Sequence, residues 1–407
     1  MRPLFLATTA LAAMALSAPA SAQTASASGP VRLGLGGYFN FYGVAGWQDD
    51  GPGHPGENRH NFDLKREGEI FFTGQAKLDN GLVVGVDVQL EAESCADQID
   101  ESYIWFQSRW GRLNLGAENS AAYLLAVGPP VVDASFDGQD PLFILYNRGA
   151  TNGDPRIGSA GFASTVDFWV PLTSGDSEKI TWLSPRLAGL RLGVSFTPDN
   201  SEEGTQGGQV QSKGGSFAGM PPDDTETQWS NLVAVGLEYD EKLGPFDVLA
   251  GASWEIGFLE GDETQTVGGF TSRYKDRNAW SVGATLGYGG FELGAGYFVD
   301  DNGIDCTFVG EACSGSGTQR SWGLGFGYAI GPWSVGVSYL HSVRNRDPVG
   351  RAERLERYIA GIRYALGRGV ELRGSVQYYD YKAALSALDT ENDNHGTFVV
   401  LGTALTF

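Results

Sequence analysis

The chain has 407 residues with 28 Lys and Arg against 49 Asp and Glu, a formal net charge of -21, and 59 Gly but only 3 Met and 3 Cys. That acidity excludes a nucleic-acid partner, which needs a basic footprint to neutralise phosphates. Scattered histidines without a paired C-x-x-C exclude a zinc centre, and no apolar run of about 18 residues exists to form a membrane-spanning helix.

Residues 1–22 read as a signal peptide: Arg2 gives the positive start, Leu4 to Leu16 the apolar run, and Ala20-Ser21-Ala22 the cleavage site. The remainder, 23–407, shows no linker or composition shift and reads as one domain. Export also suits the cysteines. Cys306 and Cys313 lie in one polar, Gly-rich stretch, close enough to staple a loop, although spacing alone does not fix connectivity. Cys95 is left over as a free thiol.

Throughout this domain, side chains alternate with period 2. The punctuation predicts strands at 33–47, 62–78, 82–93, 98–107 and 111–118, then, after the longest connection, at 177–184, 190–198, 229–240, 246–258, 276–288 and 291–300. The last five are 318–329, 333–343, 353–366, 370–381 and 395–407. Leu190, Leu192, Val194 and Phe196, for example, interleave with Arg191, Gly193, Ser195 and Thr197, giving one apolar and one polar or small face. The pattern is weakest around 164–176.

A soluble sandwich and a membrane barrel both alternate in this way. Three features favour the barrel. Segments have the length of a tilted strand crossing the hydrocarbon layer. The polar faces carry Glu67, Glu69, Asp87, Glu91, Glu118, Arg191, Arg357, Arg363, Arg373 and Gln377, too many charges for a dry core. Aromatics such as Tyr288, Phe291, Tyr328, Trp333 and Tyr364 recur at strand ends on the apolar face, where an interfacial girdle sits. Short turns, among them Gly289-Gly290 and Gly331-Pro332, alternate with long polar loops at 49–61, 119–164, 199–228, 260–273, 301–317 and 389–394. The expectation is an all-β, 16-stranded antiparallel transmembrane β-barrel with short periplasmic turns and long outer loops. In lipid its ladder must close so that no backbone group is left unpaired, and at this strand number an aqueous passage remains inside.

The last segment, Phe398 to Phe407, alternates to a terminal Phe. In this it resembles the last strand of outer-membrane barrels, and over nearly the whole mature chain the sequence resembles the trimeric, 16-stranded general porins of Gram-negative bacteria. The resemblance implies a homotrimer in the outer membrane, in contact with lipids and lipopolysaccharide. It also implies a third outer loop folded into the barrel as a constriction, here 119–164, with Asn119 to Leu125 as its short helical start. Acidic candidates for the narrow point are Glu118, Asp133, Asp137, Asp140 and Asp154. The basic candidates are Arg112, Arg357, Arg363, Arg373, Lys65 and Arg66.

The function expected is passive diffusion of small hydrophilic solutes and ions, with mild cation preference because carboxylate rings favour cations. No cofactor is implied, although clustered carboxylates suit loosely bound Ca²⁺. Three alternatives stay open. A sugar or anion channel would use Tyr38, Tyr42, Tyr103, Trp105 and Tyr379, or a ladder of cations. A barrel enzyme would need a Ser–His pair such as Ser342 with His341, yet no G-x-S-x-G frames a nucleophile. A structural or adhesive barrel fits poorly with a wide lumen. For the glycine-rich strands around Gly294, Gly296, Gly323, Gly325 and Gly327, bending of the barrel competes with close packing between subunits.

Overall fold

Alternation with period 2 becomes sixteen antiparallel strands that close on themselves in the computed structural model. The structure describes residues 31–50, 60–92, 99–130, 146–147, 161–162, 173–200, 229–261, 264–267, 270–309, 312–314, 317–345, 352–382 and 393–407. The barrel strands are β1 (Val31–Gln48), β2 (Phe62–Lys77), β3 (Val83–Glu91), β4 (Ser102–Ser108), β5 (Gly111–Ala117), β6 (Glu178–Leu183), β7 (Leu190–Asp199) and β8 (Trp229–Leu243). They continue as β9 (Phe246–Leu259), β10 (Arg277–Tyr288), β11 (Phe291–Asp300), β12 (Gln319–Ile330), β13 (Trp333–Asn345), β14 (Ala352–Gly367), β15 (Val370–Lys382) and β16 (Asn394–Thr406). Each pairs with its neighbours in sequence, and β16 pairs with β1 from Tyr38↔Thr406 to Gln48↔Gly396. Residues 1–22, expected from the sequence to be a signal peptide, lie outside the described residues.

The wall is inverted relative to a soluble protein. Along β12, Trp322, Leu324 and Phe326 point outward and are exposed, whereas Gln319 and Ser321 point inward and are buried. A hydrocarbon surround makes apolar outward residues the stable arrangement. Aromatic pairs form two belts on this outer surface. At the short-turn end Phe291 stacks on Tyr328 at 4.3 Å and Trp333 meets Tyr364 at 4.4 Å. Toward the long-loop end Trp280 meets Tyr297 at 5.5 Å and Trp322 meets Tyr339 at 5.0 Å. Trp280 and Tyr288 sit eight residues apart on β10. At about 3.3 Å per residue and a tilt of about 40° this separates the belts by roughly 20 Å, close to the apolar band of such barrels.

Short connections need tight turns. Gly289 and Gly290 both take positive φ, 57° and 92°, the geometry that a two-residue hairpin requires and that glycine adopts without strain. Two long connections hold more structure than their polar sequence suggests. Thr264–Val267, Phe270–Tyr274, Ile304–Val309 and Ala312–Ser314 form a separate four-stranded sheet from the loops after β9 and β11. Its strands are too short to cross a bilayer, so the length criterion passes over them. Cys306 in this sheet is disulfide-bonded, and the hairpin places Cys313 opposite Phe308, two residues along. Of the weak region before β6, 164–172 lies outside the described residues and 173–176 forms a turn; ahead of it, Gly161–Phe162 pairs with Tyr146–Asn147 in a separate two-stranded ladder.

Candidate functional site: the lumen and the root of the third loop

The connection from β5 to β6 turns inward at once. Ser120 caps a single helical turn, α1 (Ala121–Leu124), by accepting the Tyr123 N–H, and the Ser195 hydroxyl on the inner face of β7 accepts the Ala121 N–H at 2.8 Å. Residues 121–130 then run across the inner wall over a track of glycines. A Cβ at Gly193 would stand 2.9 Å from Ala121 and Leu125, one at Gly251 2.7 Å from Val127, and one at Gly294 2.7 Å from Pro130. Gly283 and Gly325 lie directly under the Val127 and Pro130 carbonyls. The glycines are cross-strand neighbours: Gly193 with Gly236, Gly251 with Gly283, Gly283 with Gly296, and Gly294 with Gly325. These glycines face the lumen and seat a loop, so packing between subunits does not account for them.

Both feet of the loop are pinned by buried polar groups. The Lys179 ammonium on β6 donates to the Glu118 carbonyl at the loop's start and to the Gly175 and Ser177 carbonyls at its end, the latter two at 2.9 and 2.5 Å. Glu255 on β9 accepts the Thr173 and Ser174 N–H groups, each at 3.1 Å. Glu101 accepts from Asn119 through both its backbone N–H, 3.2 Å, and its side chain, 2.9 Å. Tyr123 and Ala126 rest on an apolar patch of Ala279, Phe298 and Leu340.

The lining around this root separates charge by strand. On β2 and β3 the lumen face carries Glu67, Glu69, Asp87 and Glu91, with Glu101 and Glu118 beyond the ends of β4 and β5. On β13 to β15 it carries Arg344, Arg357, Arg363 and Arg373, with Arg363 and Arg373 direct cross-strand partners. The Arg373 guanidinium donates to Glu371 at 3.1 Å and to the Tyr42 hydroxyl at 3.4 Å. Of the arginines expected on a basic side, Arg363 and Arg373 are thus together, while Arg357 is buried six residues along β14, opposite Tyr379.

The other candidates lie elsewhere. Arg112 belongs to the acidic wall: it pairs with Asp87 at 3.3 Å, donates to Asn114 at 2.7 Å and stacks 4.6 Å over Trp105. Lys65 faces inward beside that same wall and pairs with Asp63. Arg66 alternates onto the outer face with Leu64 and Ile70 and reaches the Ala92 carbonyl at 3.2 Å, which removes it from the lumen. Glu118 is buried at the loop root, where it accepts from Asn114 at 2.8 Å. Burial, and then the charge of Glu101, push its carboxyl up to about 8, against the Asn114 bond and Lys179, which pull it down. Burial likewise raises Glu101. Asp133, Asp137, Asp140 and Asp154 lie outside the described residues.

Sequence reasoning missed Lys179, Ser195 and Glu255 as loop anchors. The available signal was their shared inward parity with Thr181, Thr197 and Ser253. The Ser342–His341 pair does not come together: His341 points outward to Glu356 at 2.7 Å, and Ser342 points inward to Ser321 at 2.6 Å.

Comparison with known proteins places these features in a family. The model of the Gram-negative porin family matches residues 7–384. An uncharacterised protein of Rickettsia conorii is 21% identical over 373 residues, covering 82% of each chain. Among solved structures, an anion-selective porin from Comamonas acidovorans superposes with a TM-score of 0.55 at 14% identity, over 93% of this chain and 100% of that one. The trimer form of OmpT from Vibrio cholerae does so with a TM-score of 0.55 at 10% identity, over 92% and 99%. The closed sixteen-stranded wall, its apolar outer face and its polar lumen agree with that match: the chain belongs to the Gram-negative porins and is an integral β-barrel channel of the outer membrane.

Proposed function

We propose that the protein is a passive diffusion pore for small hydrophilic solutes and ions, homotrimeric in the membrane, with mild cation preference. The observation that carries this reading is the loop root lying on the inner wall, anchored by Lys179, Ser195 and Glu255. A barrel of this size would otherwise be widely open, and a chain pinned along its wall narrows it without closing it. Asp133, Asp137, Asp140 and Asp154 on that loop then add to the acidic side of the path. On this proposal the field from these carboxylates and those of β2 and β3 toward the arginines of β13 to β15 orients polar solutes. The formal charge of -21 favours cations overall.

A second reading has its own support. Arg344, Arg357, Arg363 and Arg373 share the inner face of three adjacent strands, and this favours anions if they, rather than the loop carboxylates, bound the narrowest point. The fold likeness to an anion-selective porin does not decide between the two, since that selectivity is a property of that protein. The experiment is conductance and reversal potential of the purified protein in a planar bilayer under a KCl gradient. Steps in threes with a cation-directed potential support the proposal. An anion-directed potential selects the second reading, and correctly folded barrels without current overturn the open pore.

A further inference from the structure

We propose that Glu69, Glu91 and Asp100 form a divalent-cation site on the inner wall, suited to Ca²⁺. Glu69 and Glu91 are direct cross-strand partners on β2 and β3. Asp100 comes beside them through its N–H bond to the Gln89 carbonyl, 3.1 Å. One carboxylate oxygen of each lies within 4.8 Å of those of the other two.

An independent observation points to a cation. Glu69 is only 5% exposed. Its Oε1 accepts the Tyr38 hydroxyl at 2.7 Å, while its Oε2 is buried and takes no hydrogen bond. A carboxylate oxygen desolvated without a donor is compensated by direct coordination to a metal ion. All three donors are hard oxygens, which select Mg²⁺, Ca²⁺ or Mn²⁺ over the metals that prefer nitrogen and sulfur.

Size and shape favour Ca²⁺ among these. Its oxygen ligands stand at about 2.3–2.6 Å, so oxygens on opposite sides of one ion are up to roughly 5 Å apart, and the observed spread accommodates a shared ion without moving the strands. Two of the donors are fixed by the ladder and the third comes from a connection, an irregular set that Ca²⁺ tolerates and Mg²⁺, with its near-ideal octahedron, does not. Glu91 and Asp100 are partly exposed, which leaves room for water to complete the coordination. Occupancy would tie the β3–β4 connection to the wall and cancel two charges of the acidic lining. The site does not depend on the pore conducting.

The test is equilibrium dialysis with radioactive calcium on the mature chain, refolded from inclusion bodies in detergent so that no lipopolysaccharide is carried along. The wild type is compared with a Glu91→Gln, Asp100→Asn double variant. The control is Asp240→Asn with Glu241→Gln at the far end of β8. The expected result is one saturable Ca²⁺ per chain with Kd of roughly 10⁻⁴–10⁻³ M, at least about tenfold weaker in the double variant and unchanged in the control. Equal binding by wild type and double variant overturns the site, as does wild type without saturable binding below about 10 mM. Folding is checked by heat-modifiable gel migration. If the double variant fails that check, Glu91→Gln alone is read by the same two outcomes.

Discussion

The carbonyl oxygen of Val127 occupies the place that a Cβ on Gly283 would take on the inner face of β10. Loop and wall are therefore fitted at backbone level, and a side chain at this position must displace one of them. Gly283→Val is expected to lower the urea unfolding midpoint by an amount equivalent to about 1–3 kcal/mol, the usual penalty for overpacking. It should also change single-channel conductance, because the loop root is pushed from its seat. Gly367→Ala, with open space around its Cβ, is the control and should alter neither.

Removing the ammonium that joins the two feet of the loop should have a different signature. Lys179→Met leaves the Glu118, Gly175 and Ser177 carbonyls without their shared donor. A loss of about 3–5 kcal/mol is the scale for breaking such a buried charged contact. Because the strands keep their ladder, the expected phenotype is a folded barrel with a lower unfolding midpoint and noisier open-channel current. Quiet traces identical to wild type would show that the loop is held without Lys179.

Glu118 gives the pH dependence a sign. Its folded carboxyl holds a proton up to about 8, whereas the ordinary value is 4.5. Between these limits the folded state binds more protons than the unfolded one, so stability falls as pH rises through the window. Unfolding midpoints should decline from pH 5 to pH 9, and Glu118→Gln should flatten that decline. A slope unchanged in the variant would assign the dependence to other carboxylates.

Charge on the two walls should move ion selectivity in opposite directions. Arg363→Gln with Arg373→Gln removes two adjacent lumen cations and should shift the reversal potential toward cations. Asp133→Asn, Asp137→Asn and Asp140→Asn together should shift it toward anions. If neither set moves the potential, the narrowest point lies elsewhere along the path.

Strand pattern is the most legible property of this chain. The expected segment 246–258 becomes Phe246–Leu259, and 291–300 becomes Phe291–Asp300, because alternation between lipid and water is imposed on every residue of a crossing strand. Roles within the lumen are less legible. Parity puts Arg112 and Arg373 on the same face, but only the ladder order shows that one sits among carboxylates and the other among arginines. Arg66 departs from its expected place for the opposite reason: one step of register decides which side it faces. The glycines are visible as a stripe, yet their purpose depends on a loop that returns to them from about 70 to 200 residues earlier in sequence. The helical start expected at Asn119 to Leu125 is there, as a single turn.

The seam between β1 and β16 bears on how the molecule is made. Tyr38 finds its partner in Thr406 and Gln48 in Gly396, so the first strand to leave the ribosome waits for the last. Every other neighbouring pair in the wall joins strands consecutive in sequence, across connections far shorter than the whole chain and so at a smaller loop-closure cost. Until the final strand arrives, an almost finished wall carries two bare edges with unpaired N–H and C=O groups, the condition in which β-chains aggregate. Sealing is thus a single late event on which the whole chain depends, and escorts that shield β-edges during transit are needed most in the interval before it.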